Sequence, residues 1–202
     1  MVKIKICGIR DAQGARACAE AKVEFVGFNF VPGRRRQVTP EQAQALHTFC
    51  PDSSAVGVFM NQSFEVIQAT NAVCPLDYIQ LHGDETPELC REVATLAPVI
   101  KAFAVTENFK HESLAGYANF VEFWLFDGAK AGEGERFAWA KLSAPSLTKP
   151  FFVAGGINQT NVSKAISEFS PYGVDTASGI EIDGKQDRGR ILDFCETIRG
   201  NP

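Results

Sequence analysis

The stretch Val2-Lys3-Ile4-Lys5-Ile6-Cys7-Gly8-Ile9-Arg10 alternates apolar and basic residues until it reaches Cys-Gly. A period of two that stops at a glycine is typical of a short strand followed by a tight bend. Cys7 is therefore predicted to lie at the carboxyl end of the first strand, where parallel α/β folds collect their chemistry. An arbitrary cysteine is more often a small buried apolar residue, so the role of Cys7 depends on what the chain brings near it.

The composition is that of an ordinary globular protein. Of the 202 residues, 45% are hydrophobic and 22% are charged, and the net charge is −4. An acidic chain has no overall basic field to attract nucleic acid or an anionic membrane. No apolar run approaches the roughly 20 residues of a membrane span, and the first residues form a charged strand rather than a signal-peptide core. We expect a cytoplasmic protein with neither nucleic acid nor membrane as partner.

The cysteines do not form a pattern that binds metal. The six are Cys7, Cys18, Cys50, Cys74, Cys90 and Cys195. None forms a Cys-x-x-Cys pair, and no histidine stands at zinc-ligand spacing. Without a secretory signal, the even count is weak evidence for disulfides. We expect reduced thiols, buried where they fall in helices, and no metal site.

Strand-like and helix-like segments alternate eight times. The predicted strands are 2–7, 24–30, 55–59, 77–81, 99–103, 120–126, 150–154 and 172–175. The predicted helices are 11–21, 40–49, 63–73, one from 86 onward, 111–117, 137–142, 160–169 and 187–199. Eight such units favour an α/β fold of the (β/α)₈ TIM-barrel type, with an open doubly wound sheet as the runner-up. Since no linker interrupts the pattern, we expect a single domain over 1–202.

The carboxyl ends of the predicted strands carry candidate site residues. The triplet Arg34-Arg35-Arg36 follows the second strand, and on this face of an acidic protein an anion site is a better interpretation than a solvated surface. His82 follows the fourth strand, where an exposed loop histidine is the simpler interpretation. Asp127 ends a run of bulky apolar residues, and partial desolvation there would favour the protonated form that a proton donor needs. A turn-capping aspartate fits this pattern about equally well.

Glycines follow the last two strands. Gly155-Gly156 comes after the seventh strand, and Ser178-Gly179 comes after the eighth. Barrels often bind phosphate between these two loops, through backbone N–H groups and the amino end of a short helix. Glycine lets the backbone approach phosphate oxygens closely. The residues thus predict a phosphate-bearing small molecule, with Cys7 and Asp127 facing each other across the barrel mouth.

Six blocks, in order and over nearly the whole chain, resemble the signature of the phosphoribosylanthranilate isomerase family. They are Lys5-Ile6-Cys7-Gly8-Ile9, Gly27-Phe28-Asn29-Phe30, Val56-Gly57-Val58-Phe59-Met60-Asn61, Gln80-Leu81-His82-Gly83-Asp84-Glu85, Ala154-Gly155-Gly156-Ile157-Asn158 and Val174-Asp175-Thr176-Ala177-Ser178-Gly179-Ile180-Glu181. They are specific as a set, whereas a Cys-Gly or Gly-Gly alone is not. The resemblance implies a (β/α)₈ barrel, a cytoplasmic enzyme of tryptophan biosynthesis, and no metal or organic cofactor.

The reaction that the resemblance implies is an Amadori rearrangement of N-(5-phosphoribosyl)anthranilate to 1-(2-carboxyphenylamino)-1-deoxyribulose 5-phosphate. At the matching positions, Asp127 would protonate the furanose oxygen as general acid, and Cys7 would remove the C2 proton as general base. A free thiol has a pKa of about 8.5, so a modest lowering of this pKa would suffice to give a base at neutral pH. Arg36 matches the arginine that meets the anthranilate carboxylate. The other implied contacts are Gln80, His82 and Asp175 for the substrate and Gly155, Gly156, Ser178 and Gly179 for its phosphate.

The loop after the sixth strand departs from the family pattern. It carries Glu133 and Glu135 where a Gly-Gly-Ser/Thr-Gly-Lys sequence is usual. Two alternatives to the isomerase stay open. One is a related isomerase of a histidine-pathway aminoaldose phosphate, although such barrels carry aspartate at the position of Cys7. The other is a barrel that binds phosphate without turnover. In each case the expected partner is a small sugar phosphate, and the chain is expected to be a monomer or a homodimer.

Overall fold

The computed structural model describes residues 1–106, 108–128, 147 and 149–200. In this part of the chain, eight parallel strands close into a barrel in chain order, because the last strand pairs with the first. The strands are β1 (Lys3–Cys7), β2 (Phe25–Asn29), β3 (Ser54–Phe59), β4 (Tyr78–Leu81), β5 (Val99–Val105), β6 (Phe123–Gly128), β7 (Phe151–Ala154) and β8 (Gly173–Thr176). The predicted (β/α)₈ barrel is confirmed, and the open sheet is wrong.

Helices cover the outside of the barrel. They are α1 (Ala12–Glu20), α2 (Pro40–His47), α3 (Phe64–Val73), α4 (Pro87–Val93), α5 (Val162–Phe169) and α6 (Arg188–Arg199). The predicted start of α2 is confirmed in detail, since the Thr39 hydroxyl accepts from the Gln42 N–H and the Gln42 side chain accepts from the Thr39 N–H. This capping box satisfies two N–H groups that the first helical turn leaves unpaired.

The connection from β5 to β6 contains no α-helix within the described residues. The helix predicted over 111–117 is a 3₁₀ helix of four residues, His111–Leu114, followed by turns. Only Leu114 of this segment is buried, so little apolar packing is available to extend it into an α-helix. The predicted helix over 137–142, and the loop that contains Glu133 and Glu135, lie outside the described residues.

The alternation in β1 separates two cores. Ile4 and Ile6 point outward and pack beneath the helices, whereas Lys5 and Cys7 point into the barrel. The lower half of the barrel interior is filled by rings of Phe25, Tyr78, Phe123 and Phe152. This aromatic cluster fills the barrel beneath Lys5. The polar groups at the carboxyl ends of the strands therefore lie above an apolar layer.

A small hairpin follows the eighth strand and was not predicted. A 3₁₀ helix at Ser178–Ile180 leads into β9 (Glu181–Ile182), which pairs antiparallel with β10 (Lys185–Gln186). The turn residues Asp183 and Gly184 both have positive φ angles, of 48° and 73°. Asp-Gly with two positive φ angles is a strong signal of a two-residue hairpin turn, so the sequence did contain the evidence.

All six cysteines are unpaired, and those on α1, α4 and α6 are buried: Cys18, Cys90 and Cys195. The expectation that the cysteines on helices are buried is confirmed. Among the helices of the described residues, none combines the length and the apolar character that crossing a membrane requires.

Candidate active site

Cys7 is the last residue of β1 and lies at the barrel mouth. It pairs in register with Gly27 of β2, where a Cβ atom would lie 2.8 Å from the Cys7 sulfur. The absent side chain of Gly27 therefore leaves the space that the thiol occupies. The following residue, Gly8, has a φ of +80°, and a Cβ there would collide with the aliphatic part of Arg36. Two glycines thus let the thiol and the arginine lie side by side.

Lys5 lies inside the barrel directly below Cys7. Its ammonium group is 3.0 Å from a carboxylate oxygen of Asp175, its register partner on β8, and the two side chains are 0% and 7% exposed. The positive charge of Lys5 also acts on the Cys7 thiol. Burial alone would lower the pKa of Lys5, but Asp175 and Cys7 raise it above its ordinary value. A buried positive charge is thereby kept next to the thiol.

The surroundings of Cys7 raise the pKa of its thiol above the ordinary value. Burial raises the pKa of the thiol, and the nearby carboxylate of Asp175 adds to this effect. The charges of Lys5 and Arg36 lower it, but they do not outweigh the burial. The sequence alone does not show how deeply a residue at the barrel mouth is surrounded by protein.

Asp127, near the end of β6, is bound to the loop after β4. Its Oδ2 atom is 3.0 Å from Nε2 of His82, and each side chain is about one-third exposed, at 33% and 31%. The buried side chain of Gln80 supports this contact, with its Nε2 atom 2.7 Å from Nδ1 of His82. With the Gln80 amide as donor, His82 carries its proton on Nε2 and donates it to Asp127. Predicted substrate contacts thus also orient the predicted acid.

The other oxygen of Asp127 lies next to the glycine pair after β7. A Cβ atom at Gly155 would lie 2.6 Å from Oδ1 of Asp127, and Gly155 has a φ of +85°. Any side chain at this position would be strained and would displace the carboxyl group. Gly155 was predicted from its place in a phosphate loop, and its contact with Asp127 was not foreseen.

The loops after β7 and β8 form a cradle of backbone N–H groups. Gly156 has a φ of +70°, and its carbonyl oxygen accepts from the side-chain amides of Asn158 and Asn161 at 3.1 and 2.9 Å. The Thr176 hydroxyl donates to the Ile157 carbonyl at 2.6 Å, which joins the two loops. Within the described residues, the backbone N–H groups of the predicted phosphate contacts donate to no protein acceptor: Gly155, Gly156, Ser178 and Gly179.

Arg36 also makes a protein contact that was not predicted. Its guanidinium binds the Glu181 carboxylate through two hydrogen bonds, from Nε at 2.7 Å and from Nη2 at 2.8 Å. Glu181 belongs to the unpredicted hairpin and was not singled out in the sequence. Lys5 was also missed, although it has the same strand parity as Cys7 and therefore had to point into the barrel. That parity was the available signal.

The fold and these side chains define a class: a (β/α)₈-barrel enzyme with a thiol and a carboxyl group at the barrel mouth, beside loops suited to an anion. In the described part of the chain, no three His, Cys, Asp or Glu side chains are grouped so that they could hold a metal ion.

Comparison with known proteins assigns the family. The family model for N-(5'-phosphoribosyl)anthranilate isomerase matches residues 4–197. The isomerase of that name from Streptococcus gordonii is 38% identical over 200 residues, which is 98% of each chain. The crystal structure of phosphoribosyl anthranilate isomerase from Thermotoga maritima superposes with a TM-score of 0.90 at 35% identity, covering 99% of this chain and 100% of that one.

A further solved isomerase structure contains a ligand. It is a phosphoribosyl anthranilate isomerase in complex with reduced 1-(o-carboxyphenylamino)-1-deoxyribulose 5-phosphate. It has a TM-score of 0.88 and 34% identity, and the match covers 99% of this chain and 100% of that one. The chain described here belongs to the N-(5'-phosphoribosyl)anthranilate isomerase family, whose members are isomerases of tryptophan biosynthesis.

Proposed function

We propose that this chain converts N-(5-phosphoribosyl)anthranilate into 1-(2-carboxyphenylamino)-1-deoxyribulose 5-phosphate, with Asp127 as general acid and Cys7 as general base. The observation that carries the proposal is the arrangement at the barrel mouth. A thiol at the end of β1 and a carboxyl group near the end of β6 both adjoin loops whose backbone N–H groups find no acceptor among the described residues. Family membership supports the choice of substrate.

The first chemical step opens the sugar ring. Asp127 donates a proton to the furanose oxygen, the bond from C1 to that oxygen breaks, and the amine nitrogen lone pair forms a C=N bond to C1. The product is an open-chain protonated Schiff base, and Asp127 is left as a carboxylate. The His82 N–H, 3.0 Å from Oδ2 of Asp127, stabilises the negative charge that develops there. We assign the proton donation to Oδ1, which lies beside Gly155 and is not the oxygen bound by His82.

The second step moves a proton from carbon. The Cys7 thiolate removes the C2 proton, the C–H electrons form a C1=C2 bond, and the C=N electrons return to nitrogen. The resulting enaminol tautomerises to the ketone when C1 gains a proton and the C2 hydroxyl loses one. Lys5 and Arg36 supply the positive charges that favour a thiolate in a buried position. Lys5 therefore assists the base without contacting the sugar carbon.

The two ends of the substrate carry negative charges and need separate sites. We assign the phosphate to the backbone N–H groups of Gly155, Gly156, Ser178 and Gly179, and the anthranilate carboxylate to Arg36. Gln80, His82 and Asp175 remain predicted substrate contacts. No cofactor enters the proposed steps. A cytoplasmic location and a monomeric or homodimeric state also remain predictions.

Two results separate this function from its alternatives. When the purified chain is mixed with freshly generated phosphoribosylanthranilate, we expect the substrate fluorescence to decay at a rate proportional to the enzyme concentration. A phosphate-binding barrel without turnover would bind the substrate and leave its fluorescence intact. An isomerase of the histidine-pathway aminoaldose would turn over that compound instead. Either of these outcomes would overturn the proposal.

A further inference from the structure

The contact between Arg36 and Glu181 is a bidentate ion pair at the barrel mouth. Its two hydrogen bonds, at 2.7 and 2.8 Å, align the plane of the guanidinium with the plane of the carboxylate. The Glu181 side chain is 6% exposed and that of Arg36 is 23% exposed. A mobile ion pair on the surface contributes little to stability. This pair is shielded from solvent and bidentate, so it holds the arginine in one orientation.

A guanidinium group has more than one edge that can bind a carboxylate. Glu181 takes the edge formed by Nε and Nη2. Nη1 donates no hydrogen bond to any residue that the structure describes, so the edge formed by Nη1 and Nη2 is available. Gly8 adjoins the aliphatic part of Arg36, and the charges of Arg36 and Cys7 interact. The guanidinium group is therefore held next to the thiol. A second carboxylate could bind at this edge without displacing Glu181.

The surroundings of Glu181 are strongly positive. Its carboxylate also binds Arg35 at 2.6 Å, and its backbone carbonyl accepts from Arg190 at 2.8 Å. Arg10 and Arg35 both donate to the carbonyl of Gly184 at the hairpin turn. Burial would raise the pKa of Glu181, but the two bound guanidinium groups bring it below its ordinary value, so the carboxylate is ionised at neutral pH. Two guanidinium groups bind this one carboxylate, so the group formed by Arg35, Arg36 and Glu181 keeps a net positive charge.

We propose that Glu181 is a positioning residue that fixes which edge of Arg36 faces the substrate, and that it thereby sets the preference for an aromatic amine bearing an ortho carboxylate. The inference rests on the proposed function. A guanidinium that is already held in place binds a planar carboxylate without first losing its own freedom. Without Glu181, Arg36 would keep its charge but could rotate, and the carboxylate would lose its matched pair of donors.

The test compares two inhibitors that differ by one group. One is the reduced product analogue, 1-(2-carboxyphenylamino)-1-deoxyribulose 5-phosphate in reduced form, and the other has phenylamino in place of the carboxyphenylamino group. Their inhibition constants are measured for the wild type, for Glu181→Gln and for the control Glu20→Gln. Glu20 pairs with Arg188 on the outer surface, so its variant has the same charge change away from the mouth.

We expect the wild type to prefer the carboxylated inhibitor by at least tenfold. Glu181→Gln should reduce this ratio at least fivefold by weakening only the carboxylated compound, and Glu20→Gln should leave the ratio unchanged. A preference for the carboxylated inhibitor that is unchanged or larger in Glu181→Gln would overturn the inference. A larger preference would mean that Glu181 competes with the substrate carboxylate for Arg36. Equal weakening of both inhibitors would overturn it too, since that is general damage to the mouth.

A second variant covers the case in which Glu181→Gln does not fold. Glu181→Asp keeps the charge with a shorter reach, and we expect it to lose part of the ratio while it binds the carboxyl-free inhibitor normally. A full wild-type ratio in this variant would contradict the positioning role. A wild-type chain that binds neither inhibitor would instead refute the proposed function, so the two failures are distinguishable.

Discussion

At the scale of single residues, Cys7 is subject to opposing influences. Burial raises the pKa of its thiol, and the charges of Lys5 and Arg36 lower it, with a net result above the ordinary value. A thiolate in this position therefore depends on the cations around it. Of these cations, Lys5 is expected to influence the pKa of Cys7 most directly, because it is fully buried and lies directly below the thiol on the same strand.

Replacing Lys5 by methionine should raise the pKa of Cys7 further. The rate of Cys7 alkylation by iodoacetamide follows its thiolate fraction, and peptide mass spectrometry separates it from the other cysteines. We expect the inflection of the wild-type rate to lie at a higher pH than that of a free thiol, and the inflection of Lys5→Met to lie higher still. Lys3→Met is the control, since Lys3 lies on the same strand and is 42% exposed. An inflection that Lys5→Met leaves in place would contradict the assignment.

His82 should act on catalysis through Asp127. A hydrogen bond to a charged group contributes about 1.5–3 kcal/mol, and the low end applies here because both side chains are one-third exposed. His82→Phe should therefore lower kcat by about tenfold. His47→Phe, on the outer helix α2, is the control. Steady-state kinetics of both variants test this, and a His82→Phe kcat within twofold of wild type would refute it.

At the scale of elements, one buried ion pair holds the loop that carries His82. The Lys101 ammonium on β5 is 2.9 Å from the Glu85 carboxylate, and the two side chains are 2% and 1% exposed. Glu85 also accepts from the backbone N–H groups of Asn61 and Gly83, at distances of 2.9 to 3.0 Å. One carboxylate therefore connects the loops after β3 and β4 to strand β5.

Removing this carboxylate should destabilise the protein strongly. Glu85→Gln leaves the Lys101 ammonium buried without its partner, so the free energy of unfolding at pH 7 should fall by about 3–5 kcal/mol. Urea unfolding followed by circular dichroism measures this change. Glu88→Gln, on the exposed start of α4, is the control. A loss below 1 kcal/mol in Glu85→Gln would mean that the pair contributes little.

The same pair predicts a dependence of stability on pH. Burial alone would raise the pKa of Glu85, but Lys101 and the backbone N–H of Asn61 outweigh it and bring the pKa below the ordinary 4.5. The folded state therefore releases this proton more readily than the unfolded chain does. The contribution is fully present above about pH 4.5 and is lost as the pH falls below that value. In Glu85→Gln, the free energy of unfolding should fall less steeply as the pH drops below this value. An unchanged pH dependence in this variant would contradict the prediction.

The elements differ in how well the sequence predicts them. All eight strands were predicted, because buried parallel strands are short apolar runs between helix caps such as Thr39-Pro40. The 3₁₀ helix at His111–Leu114 was predicted as an α-helix, since its length depends on packing that the local sequence does not contain. The hairpin that carries Glu181 was missed, although Asp183-Gly184 is a recognisable turn.

At the scale of the whole molecule, the site forms because the barrel closes. Lys5 and Asp175 are far apart in the chain and become register partners only when β8 meets β1. The eightfold count places residues at the barrel mouth from sequence alone, and it located Cys7, Asp127 and the glycine loops. It does not specify which side chains pair there. The contacts of Arg36 with Glu181 and of His82 with Asp127 depend on side-chain geometry across separate loops.

The central claim is that Cys7 and Asp127 carry the proton transfers, and the single-turnover rate with phosphoribosylanthranilate tests it most directly. Cys7→Ser and Asp127→Asn keep the size of each side chain and remove the base and the acid respectively. We expect both variants to lose at least three orders of magnitude in this rate while the reduced product analogue still binds. A rate within tenfold of wild type in either variant would contradict the account.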